Sequence, residues 1–251
     1  MTNNKAESRG VAWVTGASSG IGRASAIALA DEGFTVAATA RRTDALDRLV
    51  KEIADRGGTA IAVPADVSDL AQQSDVIARV QDQLGLVSTS VLAAGTNTPQ
   101  RFWSELNMTR FTEIVNTNLV SVAAAVHDLI PGMLTLRGGQ FVFVSSWAAW
   151  RHSPGAGVAY ATSKSALATI AETVNAQLGS AGIRACHLCP GDVDTDFLAQ
   201  RPAAVTSAQR AQMLSPEDVA RAVRFVASSP EDVCVNELVV TPTRNASYGS
   251  A

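Results

Sequence analysis

Short apolar segments alternate with longer segments of helical periodicity along this chain, and this alternation limits the possible folds more than any other feature. Strand-like apolar segments occur at residues 11–15, 35–40, 60–63, 87–94, 140–144, 183–189 and 238–241. Helix-like segments lie between them, at residues 21–31, 44–56, 70–84, 112–136, 156–178 and 216–227. Strands that alternate with helices across short loops form a parallel sheet covered by helices on both faces. The pattern therefore predicts one α/β domain over residues 1–251, built on a doubly wound parallel sheet.

Length and composition fit one globular domain and give no support to nucleic-acid or membrane binding. The 251 residues are 47% hydrophobic and 17% charged, with a net charge of −3 and no run of Lys or Arg. Neither nucleic acid nor an anionic membrane is therefore an expected partner. The amino-terminal residues are polar, which predicts no secretory signal, and no apolar stretch approaches the expected length of a membrane span. We expect a cytoplasmic protein, with flexible tails at residues 1–9 and 244–251.

The three cysteines, Cys186, Cys189 and Cys234, are too few for a disulfide framework. Cys186 and Cys189 form a CxxC pattern, but no second pair of Cys or His residues completes a zinc site. Both lie in a strand-like segment, where a free Cys packs as a small hydrophobic residue. We therefore expect ordinary strand packing and no metal site.

A glycine-rich turn separates the first strand-like segment from the first helix-like segment. Residues 15–22 have the sequence TGASSGIG, with glycines at Gly16, Gly20 and Gly22. A strand, a glycine-rich turn and a helix start direct free backbone N–H groups and the positive end of the helix dipole at a pyrophosphate. Glycines also serve plain turns, so this loop alone leaves a turn without a ligand as the alternative.

A second motif gives this loop a specific context. Tyr160 and Lys164 form a YxxxK motif, and together with residues 15–22 it resembles the short-chain dehydrogenase/reductase family. Further family landmarks follow in order over residues 11–243, at Asp66-Val67, Ala93-Ala94-Gly95, Asn118, Ser146 and Pro190-Gly191. The resemblance implies a Rossmann-type fold and an oxidoreductase that transfers a hydride between a nicotinamide dinucleotide and a small-molecule carbonyl or secondary alcohol. An epimerase or dehydratase, and a non-catalytic dinucleotide sensor, are the alternatives on this fold.

By the same resemblance, five segments are expected to bind the cofactor. Their residues are Gly16, Ser18, Ser19, Gly20, Ile21, Gly22, Asp66, Val67, Ala94, Gly95, Tyr160, Lys164, Pro190, Gly191, Val193 and Thr195. Asp66 would accept a hydrogen bond from the adenine amino group; the alternative is that it caps the helix that follows. The family commonly has Asn where this chain has Ala93, so we expect weaker local order at that point.

The end of the second strand-like segment bears on the choice of dinucleotide. Proteins that bind NAD place an acidic residue there to accept from the ribose 2′-OH, but this chain has Ala40 followed by Arg41 and Arg42. A 2′-phosphate carries about two negative charges, which a guanidinium group meets with paired hydrogen bonds. We therefore expect NADP(H); the alternative is that the two arginines only form a solvated helix start.

Tyr160 and Lys164 are the expected centre of catalysis. Residues four apart on a helix share a face, so the Lys164 ammonium is expected to lower the pKa of Tyr160 and let it act as general acid and base. By the resemblance, Ser146 binds the substrate oxygen, with the neighbouring Ser145 as a rival. Asn118 would hold a water that links Lys164 to solvent; the alternative is a polar residue that kinks the helix.

Aromatic residues predict the character of the substrate pocket. Trp147, Trp150 and Phe197 fall in segments that border the family's active-site cleft, where Arg151 is the basic residue close by. We expect a largely apolar pocket for a bulky or aromatic ketone or aldehyde, covered by a mobile lid at residues 196–214. The alternative is that these rings pack loops onto the body or fill a subunit interface.

The helix-like segment at residues 112–136 predicts an assembly. Its apolar stripe is long, and the family pairs this helix and the Tyr160 helix across subunits. We therefore expect a homo-oligomer, a tetramer or a dimer. The alternative is that the stripe only covers the protein's own sheet.

Overall fold

Seven parallel strands form a single sheet in the computed structural model, which describes residues 9–245. The strands are β1 (Val11–Thr15), β2 (Thr35–Thr39), β3 (Thr59–Ala62), β4 (Val87–Leu92), β5 (Gly139–Val144), β6 (Ile183–Pro190) and β7 (Glu237–Val240). Their order across the sheet is β3-β2-β1-β4-β5-β6-β7, and every neighbouring pair is parallel. The doubly wound parallel sheet that the alternation of segments predicts, and the Rossmann-type fold that the family resemblance implies, are confirmed.

Helices connect the strands and cover both faces of the sheet. They are α1 (Gly20–Asp31), α2 (Thr43–Asp55), α3 (Leu70–Leu84), α4 (Met108–Val115), α5 (Ser121–Leu136), α6 (Trp147–Trp150), α7 (Val158–Leu178), α8 (Ser207–Arg210) and α9 (Pro216–Ala227). The bounds of α3 and α9 are those predicted, and the Ser215 side chain caps α9 by accepting from the N–H of Asp218. The helix predicted at residues 112–136 begins earlier, at Met108, and contains a π-helical turn, Asn116–Val120, between α4 and α5.

The core lies in two apolar layers, one on each side of the sheet. Along β1 the side chains alternate, with Ala12 and Val14 in the layer under α1, α2 and α9, and Val11 and Trp13 in the layer under α3, α5 and α7. Each fully buried aliphatic or aromatic side chain contributes about 1.5–3 kcal/mol to folding. Burial on both faces explains why the strands are apolar throughout rather than alternating with polar residues.

One helical stretch, Met108–Leu136, is long and apolar enough to cross a membrane, with a mean hydropathy of 1.6. This length contradicts the expectation that no apolar stretch reaches a membrane span. One face of the stretch packs into the core through Val122, Leu129 and Met133. That packing is typical of a core helix. Other large apolar side chains of the stretch, among them Met108, Val120 and Leu134, are exposed.

The winding of the sheet determines where a ligand site can form. The chain moves outward from β1 to β3 on one side and from β4 to β7 on the other, so the order of strands reverses between β1 and β4. Ligands of such sheets bind beyond the carboxyl ends of the strands at that reversal.

Most of the two predicted tails lies outside the described residues. Of the tails, only Arg9, Arg244 and Asn245 are described, and Asn245 is buried.

Candidate active site

A cavity of about 1170 Å³ opens at the carboxyl edge of the sheet, above the reversal between β1 and β4. The structure brings together here every residue predicted to bind a cofactor, together with Ser146, Trp147 and Phe197. These residues come from segments that are far apart in the sequence but follow β1, β2, β3, β4, β5 and β6 at one edge. Of the predicted site residues, Asn118 and Trp150 do not line this cavity.

The glycine-rich loop lies against the end of β4. Gly16 has a positive φ of 66°, and a Cβ at this position would lie 2.9 Å from backbone atoms of Ala93 and Ala94. The Thr15 hydroxyl accepts hydrogen bonds from the backbone N–H groups of Ala93 (3.1 Å) and Ala94 (3.2 Å). These bonds hold the β4 loop in place without the family's usual Asn. No side chain caps the start of α1 at Ser19, so the first N–H groups of that helix can serve an anion.

Arg42 contacts this loop directly. Its Nη2 donates to the Ser18 hydroxyl at 3.2 Å and to the Ser18 carbonyl at 3.4 Å. Arg41 is 79% exposed and lies 3.8 Å from the Asp66 carboxylate. Because the first residues after β2 meet the glycine-rich loop here, the two guanidinium groups border the cavity rather than only forming a solvated helix start.

The Asp66 side chain forms hydrogen bonds within its own loop. Its carboxylate accepts from the Ser68 hydroxyl at 2.7 Å and from the Ser68 N–H at 3.0 Å. The residue that caps α3 is Asp69, which accepts from the N–H groups of Ala71 and Gln72. Asp66 therefore lines the cavity and does not cap the helix, which removes the alternative considered from the sequence.

Tyr160 lies in the first turn of α7 and is half-buried in the cavity wall. Its ring lies 5.8 Å from that of Phe197. Burial raises the pKa of Tyr160 above its ordinary value, while a hydrogen bond with Ser146 and the positive charge of Arg101 act in the opposite direction. The Ser146 hydroxyl also accepts from the N–H of Ala148 at 3.1 Å, which fixes it at the start of α6.

The Ser145 hydroxyl contacts Lys164 and His187. Its hydroxyl donates to the carbonyl of Lys164 at 3.0 Å and lies 2.8 Å from Nε2 of the buried His187. The other ring nitrogen of His187 lies 3.1 Å from the Glu237 carboxylate. Of the two serines, Ser146 is the one that acts on the pKa of Tyr160, while the Ser145 hydroxyl is held by Lys164 and His187, so the geometry favours Ser146 over its rival as the residue beside Tyr160.

Lys164 forms part of the cavity floor. Its side chain is almost fully buried, and its ammonium donates to the carbonyl of Val144 at 2.7 Å. Burial lowers the pKa of Lys164 from 10.5 to about 8. Among the groups that shift the pKa of Tyr160 the cation is Arg101 and not Lys164. The expected lowering of the Tyr160 pKa by Lys164 is therefore not observed in this geometry.

Asn118 occupies the π-helical turn behind the cavity and is fully buried. Its side chain accepts from the N–H of Thr96 at 2.8 Å and donates to the Thr96 carbonyl at 2.9 Å and to the Ser163 hydroxyl at 3.1 Å. These bonds join the loop after β4 to α7, one turn from Tyr160. The role of Asn118 in holding a water stays a prediction.

The predicted aromatic residues divide between two places. Trp147 and Phe197 line the cavity. Trp150 packs against Trp147 with ring centroids 5.0 Å apart, and the Arg151 guanidinium lies 4.4 Å above its ring, outside the cavity. The two arginines that line the cavity near Tyr160 are Arg101 and Arg201, so the expectation that Arg151 is the basic residue of this region is wrong.

The segment at residues 196–214 covers one side of the cavity. Arg201 pairs with Asp192 and Arg210 pairs with Asp194, so ion pairs tie the segment to the end of β6. The backbone N–H of Asp194 also donates to the carbonyl of Leu214 at 2.8 Å. Its mobility as a lid stays a prediction.

The CxxC pattern lies in β6, as expected. Cys186 and Cys189 are buried, and burial raises the pKa of each thiol to about 12. The Cys189 sulfur lies 3.4 Å from Nδ1 of the buried His187, and the same ring nitrogen faces the exposed carboxylate of Glu237. A thiol with so high a pKa is a poor source of the thiolate that attacks substrates.

Comparison with known proteins identifies the family. The family model described as short chain dehydrogenase matches residues 10–206. Sulfoacetaldehyde reductase 2 of Chromohalobacter salexigens is 30% identical over 94% of this chain and 95% of its own length. Glycine betaine reductase ATRR of Emericella nidulans is 33% identical over 92% of this chain, but the chain spans only 18% of that protein.

Solved structures agree with this assignment. An alcohol dehydrogenase from Thermococcus sibiricus complexed with 5-hydroxy-NADP is 28% identical, with a TM-score of 0.82, over 93% of this chain and 97% of that one. A 3-ketoacyl-(acyl-carrier-protein) reductase from Brucella melitensis complexed with NADH is 25% identical, with a TM-score of 0.86, over 95% of this chain and 99% of that one. The chain therefore belongs to the short-chain dehydrogenase family, oxidoreductases that use nicotinamide dinucleotides.

Proposed function

We propose that this protein is an NADP(H)-dependent oxidoreductase that interconverts a carbonyl compound, a ketone or an aldehyde, and the corresponding alcohol, with Tyr160 as the general acid and base. One observation carries the proposal. The hydroxyl groups of Tyr160 and Ser146 meet in the same cavity that the glycine-rich loop borders. A proton donor, a second hydroxyl and a phosphate-binding loop are what reduction of a carbonyl by a dinucleotide requires.

The residues around the cavity fit NADP(H). The bound dinucleotide would supply the hydride. The glycine-rich loop and the uncapped start of α1 suit its pyrophosphate. Ala40, directly after β2, places no carboxylate at the position where proteins that bind NAD have one, and Arg42 donates to Ser18 on the glycine-rich loop. A guanidinium group beside a phosphate forms strong, charge-assisted hydrogen bonds.

The proton chemistry is assigned to Tyr160 and Ser146. During reduction Tyr160 gives its hydroxyl proton to the nascent alkoxide, and Ser146 donates a hydrogen bond to the same oxygen. The raised pKa of Tyr160 keeps it protonated before reaction, as a general acid must be. Lys164 holds a positive charge at the cavity floor through its bond to Val144, and we expect it to contact the nicotinamide ribose.

Measuring NADPH oxidation against a panel of aldehydes and ketones tests the proposal. A non-catalytic sensor would bind NADPH without turnover of any compound. An epimerase or dehydratase would convert its substrate without net oxidation of NADPH. Turnover of at least one carbonyl compound that disappears in Tyr160→Phe is the expected result, and turnover that persists unchanged in that variant would refute the assigned role of Tyr160.

The outer face of the Met108–Leu136 stretch supports a homo-oligomer. Met108, Val120 and Leu134 are large apolar side chains that are exposed there. Exposed apolar surface of this kind is typical of an interaction face. We infer that a second copy of the chain covers it, in a dimer or tetramer.

A further inference from the structure

Arg101 is a buried cation in the wall of the cavity. It lies in the loop that follows β4, and only 6% of its surface is exposed. Its guanidinium donates from Nε to the Thr98 carbonyl at 2.9 Å, from Nη1 to the Gly155 carbonyl at 3.0 Å, and from Nη2 to the Gln200 carbonyl. Within residues 9–245 no carboxylate forms an ion pair with it.

The hydrogen bonds of Arg101 leave part of its capacity unused. A guanidinium group has five N–H donors in a planar fork, and the three bonds to carbonyls leave one N–H on Nη1 and one on Nη2. Two N–H donors of one guanidinium group can serve the oxygens of a carboxylate or sulfonate. Burial and the nearby charge of Arg201 lower the pKa of Arg101, so its charge is poorly compensated where it lies.

The position of Arg101 relates it to Tyr160. A Cβ at Gly157 would collide with the Cβ of Arg101, so the arginine stem packs directly on the residue that begins α7. Gly157 has a positive φ of 85°, which suits glycine and lets the loop approach. Tyr160 lies one turn further along α7, and the charge of Arg101 acts on its pKa. The guanidinium and the reacting hydroxyl therefore border the same part of the cavity.

Arg201, the second arginine in this part of the cavity, differs from Arg101 in having a carboxylate partner. Arg201 also lines this part of the cavity, but it forms an ion pair with Asp192. Its charge is compensated by a carboxylate, whereas among residues 9–245 the hydrogen-bond partners of the Arg101 guanidinium are carbonyl groups. Of the two arginines, Arg101 is therefore the cation that an anionic ligand would stabilise more.

We propose that Arg101 binds an acidic group of the substrate, a carboxylate or a sulfonate, while the substrate carbonyl lies at Tyr160 and Ser146. This inference rests on the proposed function, because it names the substrate class of the same site. The preferred substrate is then an aldehyde or ketone that carries an anionic group a few bonds from the carbonyl. Trp147 and Phe197 form walls around its carbon chain rather than a wholly apolar pocket.

Matched pairs of acids and esters test the inference. Pyruvate, acetoacetate and levulinate place a carboxylate at increasing distance from a ketone, and their methyl esters remove the charge while keeping the ketone. Sulfoacetaldehyde distinguishes a sulfonate from a carboxylate. We expect the parent protein to have a higher kcat/KM for at least one acid than for its ester, or to turn over the sulfonate.

Arg101→Met removes the charge and keeps most of the stem. For the preferred acid we expect kcat/KM to fall by roughly 10- to 100-fold, the range of a charge-assisted hydrogen bond, while kcat/KM for the ester and the Kd for NADPH change little. Arg151→Met is the matched control, since Arg151 stacks on Trp150 outside the cavity. We expect the control to leave the ratio of acid to ester unchanged.

Two results would overturn the inference. An equal fall of kcat/KM for acid and ester in Arg101→Met, with a shifted pH profile, would mean that Arg101 acts on Tyr160 instead. A parent protein that prefers every ester to its acid would exclude an anion site. If Arg101→Met does not fold, competition decides: propionate should inhibit the parent competitively against the substrate and not against NADPH, and its failure to do so contradicts the inference.

Failure of the proposed function would look different. If none of the tested carbonyl compounds supports NADPH oxidation by the parent protein, the proposed activity is refuted. Binding of levulinate or sulfoacetaldehyde to the parent with NADP⁺ present, measured by calorimetry, would still test the anion site. Binding that Arg101→Met abolishes and Arg151→Met retains would support the site, and no binding to the parent would refute it.

Discussion

Lys164 gives a prediction that links the buried charge of the site to the stability of the protein. Its side chain is 3% exposed, and burial lowers its pKa from 10.5 to about 8. An unfolded chain leaves the same ammonium in water with its ordinary pKa. The folded state therefore bears a cost for keeping Lys164 charged, which a Lys164→Met variant does not bear.

The magnitude and sign follow from the two pKa values. A difference of about 2.5 units corresponds to about 3 kcal/mol at 1.36 kcal/mol per unit. Below pH 8 both states are protonated and the full cost is present. Between about pH 8 and pH 10.5 the unfolded chain binds more protons than the folded chain, so the parent gains stability as the pH rises, and above that range the cost is gone.

The assay is urea unfolding of parent and Lys164→Met at several pH values from 7 to 10.5, compared as a difference in the free energy of unfolding. Between pH 7 and pH 10.5 we expect the free energy of unfolding of the parent to rise by about 3 kcal/mol relative to that of Lys164→Met. The absolute difference at pH 7 is smaller, because the variant also leaves the Val144 carbonyl without its 2.7 Å bond to Lys164, at about 1–3 kcal/mol. Lys51→Met, at an exposed lysine, controls for loss of a lysine elsewhere. A difference between parent and Lys164→Met that stays constant with pH would refute the argument.

The remaining predictions concern catalysis, cofactor choice and assembly. Tyr160→Phe should lower turnover by about 10²–10⁴-fold, as loss of a general acid does, while NADPH binding measured by fluorescence stays close to that of the parent. NADPH should bind more tightly than NADH, and Arg42→Ala, or Ala40→Asp with Arg41→Ala, should reduce the preference by roughly 1.5–3 kcal/mol; equal affinity of the parent for both cofactors, by calorimetry, would contradict this. Light scattering should give a dimer or tetramer, and a stable monomer at micromolar concentration would rule out assembly through the Met108–Leu136 face.

The fold was predictable because its signals are local. Each strand and each helix carries its own periodicity, and the first strand, Val11–Thr15, has the bounds that its apolar run predicts. The π-helical turn Asn116–Val120 was not predictable, because its residues have ordinary helical periodicity. A bond between Asn118 and the backbone of Thr96, 22 residues earlier, accompanies the turn, and no local pattern encodes such a contact.

The candidate site was predictable where its residues share one element. The glycine-rich loop follows directly from β1, and Tyr160 and Lys164 are one turn apart on α7. The choice between Ser145 and Ser146 was not decided by spacing, since neighbouring residues at the end of a strand point to opposite sides. In the fold the Ser145 hydroxyl lies 2.8 Å from Nε2 of His187, which favours Ser146 as the serine that is free to face a substrate.

Arg101 was not found from the sequence because its position depends on two segments that are distant in the sequence, around Gly155 and Gln200, as well as on its own loop. Thr98, Gly155 and Gln200 supply the carbonyl groups that hold it, and their meeting point is a product of the whole fold. Arg151 lies nearer to Tyr160 in the sequence, yet its guanidinium stacks on Trp150 away from the cavity. Sequence distance is thus a poor measure of which cation faces a substrate when loops supply the wall.

The distribution of charge connects these observations. The chain carries a net charge of −3, yet the described lining of the cavity contains six cationic side chains, among them Lys164 and Arg101, and four acidic ones. Burial of these cations costs stability: it lowers the pKa of both Lys164 and Arg101, and the charge of Arg201 lowers the pKa of Arg101 further. A phosphate-bearing cofactor and an acidic substrate would each offset part of that cost, so part of the free energy that the fold gives up at the cavity is recovered when anionic ligands bind.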